Sequence, residues 1–143
     1  MNKYFIEEGV FTSRTFFIAN CSQEELARFV KKRYKIEMED LGKDTCGTVL
    51  SYYNEDYRYT ERVVWVQYFN RNSEEDIAIL THEIVHLVVR ICDHKGVPIV
   101  AENNGYPGDE TAAYLTRFFV REFLTRFSLS EKNKKKKKKK GKK

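Results

Sequence analysis

An α+β fold is predicted by three observations on this 143-residue chain. Two separated stretches of aromatic and β-branched residues read as strands. Three other stretches repeat their apolar residues at helical spacing. The two kinds of segment do not alternate regularly, as a parallel α/β sheet would require.

The first strand is expected over Val10–Ala19, where Phe11, Phe16, Phe17 and Ile18 are interleaved with threonines. Asn20-Cys21-Ser22 ends it. Ser22 followed by Glu25 has the spacing of a capping box, and Leu26, Phe29, Val30 and Tyr34 then recur at helical spacing, which predicts a helix from Ser22 to Lys35. Glu37–Gly47 is polar, contains two glycines and reads as loop. Thr48–Tyr53 and Tyr57–Phe69 are strand-like, and Asn54-Glu55-Asp56 between them is turn chemistry, so a hairpin is expected. The run Arg62-Val63-Val64-Trp65-Val66-Gln67-Tyr68-Phe69 is the most strand-like in the chain, and a continuous run of this kind implies burial on both faces.

Asn72-Ser73 followed by Glu74, Glu75 and Asp76 is a strong helix start, because acids complement the positive first turn. That helix should run to about Asp93, with Gly96 beyond its end. Val97–Gly108 reads as loop. A last helix is expected from about Asp109 to Ser128, carrying Leu115, Phe119, Phe123 and Phe127. The expected order is β-α-β-β-α-α, in a single domain over residues 1–131.

The formal charge of +5 misrepresents that domain. Residues 132–143 hold ten lysines and no acid, and without them 16 basic residues face 21 acidic ones, a net of −5. The lysine run is expected to be disordered and to offer non-specific nucleic-acid binding; the domain itself is mildly acidic. Three scattered cysteines, none in a CxxC pair, suggest reduced thiols rather than a disulfide framework. Acids interrupt the apolar N-terminus early, which argues against a secretory signal, and no apolar run approaches membrane-spanning length. A cytoplasmic or virion-associated protein with no membrane partner is the expectation.

Chemistry enters at His82-Glu83-Ile84-Val85-His86, an HExxH pattern inside the fifth predicted element. Histidines at i and i+4 lie one above the other on a helix, so both imidazoles can reach one ion. Zinc suits neutral imidazole and keeps an open position for water in catalytic sites. Glu83 is then placed as general base for metal-activated water. On a helical wheel Ile77, Leu80, Ile84, Leu87, Val88 and Ile91 share an arc of about 100°, with His82 and His86 nearly opposite. The bland alternative is a pair of solvent-facing histidines on an ordinary amphipathic helix.

A third ligand is less determined. Val89 and Cys92 occupy the positions where the longer HExxHxxGxxH pattern needs Gly and His, which excludes that class. Asp93 lies too far along the helix axis from His86, and His94 falls where the helix should fray. Glu110 opens the next helix and would complete a His₂Glu site; Glu102 and Asp109 remain open as alternatives.

Val64-Trp65-Val66, Thr81–His86 and Asp109-Glu110-Thr111-Ala112-Ala113-Tyr114-Leu115 together resemble small metallopeptidase-like proteins encoded by tailed bacteriophages and prophages. The resemblance covers residues 60–127, and HExxH is its specific part. It implies a minimal zincin-like fold, in which a small antiparallel-containing sheet packs on the HExxH helix and a C-terminal helix. It also implies Glu110 as third zinc ligand. A looser likeness links the chain to peptidases that cleave phage repressors. A zinc metallopeptidase acting on a peptide or protein is the expected function, with Val64-Trp65-Val66 as an edge strand for an extended substrate. A structural or assembly protein of a phage particle, retaining the metal site without turnover, is the competing expectation.

Overall fold

The computed structural model describes residues 1–54, 58–97, 99 and 107–140, the last including 107–109 and 133–140 by backbone alone. Among them are four strands, β1 (Asn2–Glu8), β2 (Ser13–Ala19), β3 (Gly47–Asn54) and β4 (Tyr59–Val66), and three helices, α1 (Gln23–Tyr34), α2 (Glu74–His94) and α3 (Pro107–Lys140). The fold is α+β, built on one mixed sheet of order β1-β2-β4-β3.

The sheet consists of two antiparallel hairpins joined by one parallel pairing. Tyr4 stands opposite Phe17 in the first hairpin, and Val49 opposite Val64 in the second. Along the parallel seam Phe17 pairs with Val64 and Ile18 with Trp65. Successive side chains on a strand point to opposite faces, so β2 and β4 divide their apolar residues between two layers. Phe16, Ile18, Val63 and Trp65 meet Leu26, Val30 and Tyr34 of α1. Phe17, Ala19, Val64 and Val66 meet α2 and α3 on the other side. The uninterrupted apolar run in β4 is therefore buried on both faces, as its composition implies.

Two strand expectations need correction. Val10–Ala19 is not one strand, because Val10–Thr12 belongs to a turn and Val10 is exposed. Glu8 closes that turn by accepting from the backbone N–H groups of Val10 at 2.9 Å and Phe11 at 2.7 Å. Thr12 takes a left-handed φ of 51° within it. The second correction is β1, which the sequence reading omits. Its Lys3, Glu7 and Glu8 hide a half-buried edge strand whose Ile6 is fully buried. The order is thus β-β-α-β-β-α-α.

Helix boundaries follow their caps. Ser22 Oγ accepts from Glu25 N at 3.3 Å while Glu25 Oε2 accepts from Ser22 N at 3.1 Å, which is the reciprocal capping box. Ser73 caps α2 by accepting from Asp76 N at 3.2 Å. Leu115, Phe119, Phe123 and Phe127 form the buried stripe of α3, and Phe69 meets Phe123 and Phe127 edge-on at 4.9 Å. The helix continues past its expected end near Ser128 and runs through Lys140, into the segment read as a disordered tail. Lysine is a good helix former and no glycine or proline interrupts the chain between Thr111 and Lys140. The side chains of 133–140 and residues 141–143 lie outside the described residues.

All three cysteines are free, Cys21 and Cys92 buried and Cys46 exposed. Among the described residues no helix is long and apolar enough to cross a membrane.

Candidate active site

The helix α2 both seats itself on the core and carries the HExxH residues. Leu80, Ile84, Leu87, Val88 and Ile91 are buried, whereas His82, His86, Val85 and Val89 are exposed. The wheel thus separates core from site as the spacing predicts. The two imidazoles converge: their Nε2 atoms are 3.0 Å apart, with ring centroids at 4.6 Å and planes at 82°. One Nε2–H donates to the other ring's lone pair, and which ring donates depends on tautomer. Two ring nitrogens brought this close by a single helix could both ligate one metal ion once the shared proton is lost.

Glu83 sits differently from its neighbours. It is only 8% exposed, although it lies between two exposed histidine positions. On the wheel it falls about 40° from Leu87, on the flank of the buried stripe that faces β3. Its carboxylate accepts no hydrogen bond from any described residue. Burial pushes the Glu83 carboxyl above the usual carboxylate range, against the opposing pull of His82, His86 and Arg90. A carboxylate on a buried residue, with raised basicity and no hydrogen-bond partner among the described residues, is the arrangement expected of a proton acceptor.

Space in front of this carboxylate is made by Gly47, the first residue of β3. A Cβ built there would stand 2.9 Å from Glu83 Cγ and 3.1 Å from its Oε1. Gly47 is therefore needed for close approach rather than for a special backbone angle. Replacing Gly47 by alanine should displace the Glu83 side chain and reduce any hydrolytic rate at least tenfold, while stability falls by about 1–3 kcal/mol from overpacking. Parallel activity and melting measurements check this, and an unchanged rate would show that Glu83 has room to spare.

A cavity of about 470 Å³ opens at this point, lined by Asp44, Cys46, Gly47, Ala78, His82 and Glu83 among others. Two turns beyond His82, Arg90 Nη1 donates to the Val49 carbonyl and fastens α2 to β3. Gly47 and Arg90 escaped the sequence reading. Arg90 carried a usable signal, because it lies four residues after His86 on the flank shared with Glu83.

Glu110 lies in the first turn of α3 with an exposed side chain. Among the described residues no group of three His, Cys, Asp or Glu side chains is gathered to hold a metal ion, so Glu110 is not drawn together with His82 and His86. Of its rivals, Glu102 lies outside the described residues, as does the side chain of Asp109. Asp93 and His94 are exposed at the C-terminal end of α2. The expectation of Val64-Trp65-Val66 as an edge strand is overturned: β4 lies between β2 and β3, and its N–H and C=O groups are used on both sides. Beside the histidines lies β3, which among the described residues pairs with a strand on one side only.

No family model, curated protein or solved structure matches the chain.

Proposed function

We propose that the chain is a zinc-dependent hydrolase of zincin-like architecture, a metallopeptidase acting on an extended peptide. The observation that carries this reading is the convergence of His82 and His86 at 3.0 Å beside Glu83, a buried residue whose carboxylate has no hydrogen-bond partner among the described residues. A purely structural metal site has no use for such an acid, which favours an enzyme over an assembly protein.

His82 and His86 would hold the ion with one carboxylate, for which Glu110 is the first choice and Glu102 and Asp109 the alternatives. Zinc supplies, when bound, the Lewis acidity that activates water towards a carbonyl at neutral pH. Glu83 takes the proton of the attacking water on its carboxylate and returns it to the departing amide nitrogen. Burial of the residue raises the basicity of that carboxylate. β3 then offers the backbone against which a substrate strand can lie.

Metal content tests the reading directly. Purified protein should carry about one zinc per chain, and the His82→Ala, His86→Ala double variant should carry none while keeping its fold. Full zinc occupancy in that double variant would sink the assignment. A Glu110→Ala variant measured alongside identifies the third ligand by whether zinc affinity drops.

A further inference from the structure

The edge of β3 that pairs with no strand among the described residues leads away from the candidate active site into a second cavity. Gln67 N donates to the Cys46 carbonyl, and Arg90 of α2 donates to the Val49 carbonyl. Backbone groups alternate along a strand, so Gly47, Val49 and Ser51 direct their N–H and C=O groups away from β4. Ser51 is exposed, and Gly47 borders the cavity of His82 and Glu83. The stretch from Gly47 to Ser51 spans about 13 Å of extended chain, room for a peptide of about five residues.

The second cavity, about 420 Å³, lies along this edge and is lined by Glu37, Met38, Glu39, Leu41, Ser51 and Arg90 among others. Its two sides differ. Met38 and Leu41 pack with Leu50 and Tyr52 on the α1 side of the sheet, and Glu37 and Glu39 are exposed on the same segment. Arg90 comes from α2 on the other side. Lys31 pairs with Glu37, but among the described residues no cation pairs with Glu39. The field of Glu39 reaches the strand, since burial and then this carboxylate push the Tyr52 phenol up.

We infer that β3 binds an extended peptide with basic side chains at alternate positions, which face Glu37 and Glu39 while the intervening residues face α2. The inference rests on the peptidase reading and names its substrate class. Glu83, which has no hydrogen-bond partner among the described residues and lines one cavity with Gly47 at the start of β3, marks where the bound strand meets the chemistry. Arg90 already occupies the Val49 carbonyl and repels cations on the α2 side, so only every second position accepts lysine or arginine. Glu37 is shared with Lys31, so Glu39 carries most of the selectivity, and one exposed pair corresponds to a preference of roughly two- to fivefold.

The test is a binding measurement in the full-length Glu83→Gln variant, so that turnover plays no part. Fluorescein-labelled octapeptides of alternating Lys-Val and alternating Ser-Val are titrated and followed by anisotropy, with and without zinc. The Lys-Val peptide should bind roughly two- to fivefold tighter, with the difference shrinking as salt is raised. Glu37→Lys with Glu39→Lys should abolish or reverse the preference. Ser51→Pro removes an outward N–H that an edge strand can spare, so both peptides should weaken while the melting temperature holds; Ser51→Ala should change neither. Equal binding of the two peptides, or a preference unmoved by the double lysine variant, overturns the inference. Wild-type cleavage without a charge preference would overturn it and leave the peptidase reading intact. Charge-selective binding by a protein that cleaves nothing would do the reverse.

Discussion

Arg33→Ala should destabilise the protein by about 3 kcal/mol, equivalent to roughly a 10 °C fall in melting temperature. The guanidinium of Arg33 reaches from α1 across the sheet face and grips Glu61 of β4 with two hydrogen bonds of 2.6 Å. The Glu61 side chain is wholly buried, whereas that of Arg33 is 30% exposed. Removing the arginine therefore strands a carboxylate that water cannot reach, while removing the acid leaves a cation that can still turn to solvent. Glu61→Gln should accordingly cost less than Arg33→Ala. Burial alone would push the Glu61 carboxyl up, but the hydrogen bonds and charge of Arg33, with a longer contact from Asn54 at 3.5 Å, outweigh it and hold the group below the usual carboxylate range. A carboxyl with a depressed folded-state pKa stabilises the fold above its unfolded pKa, near 4.3, and loses that contribution as pH falls through the folded value. Denaturant melts between pH 7 and pH 3 should show this acid loss in the parent and a smaller one in Glu61→Gln. Equal costs for the two substitutions would mean that the pair is solvated in solution.

Glu83→Gln should lower kcat by two to four orders of magnitude and leave zinc content and melting temperature nearly unchanged. Glutamine keeps the shape of the side chain but cannot accept the proton of the attacking water. The nearly unchanged stability follows from the site itself: no described residue donates to the Glu83 carboxylate, so a neutral amide there sacrifices no hydrogen bond. Burial of the charge is moreover unfavourable, and its removal offsets part of any packing cost. Single-turnover assays on a peptide substrate, with metal analysis of the same samples, decide the matter. A variant that cleaves as fast as the parent would remove Glu83 from the chemistry.

The helices, the β3–β4 hairpin and the histidine pair were legible because each rests on local periodicity or a cap. Ser22 with Glu25, Ser73 with its three following acids, and His82 with His86 all act within about one turn of helix. β1 was missed because edge strands tolerate charge: Lys3 and Glu7 point outward while Ile6 supplies the core. The rank of β4 in the sheet was misjudged for another reason. A continuous apolar strand signals burial on both faces but carries no information about which strands flank it. The depth of Glu83 and the clearance provided by Gly47 are equally non-local, since they exist only once β3 is laid against α2. The extent of α3 is not legible because charge repulsion and the helix propensity of lysine pull in opposite directions, and the helical geometry continues through Lys140.

The single parallel seam between β2 and β4 also governs how the molecule assembles. Each hairpin closes over a short loop and can form within microseconds, but neither buries more than one face unaided. The seam joins residues nearly fifty positions apart, such as Phe17 and Val64, and α1 must cross over before they meet. Loop closure over that distance has to be completed before the seam contributes any stability. Docking of two preformed hairpins is thus the step that topology predicts to be slow. Until it occurs, the edges of both β2 and β4 stand open with Phe16, Phe17, Val64 and Trp65 uncovered, which is the interval in which chains at high concentration can pair with one another instead.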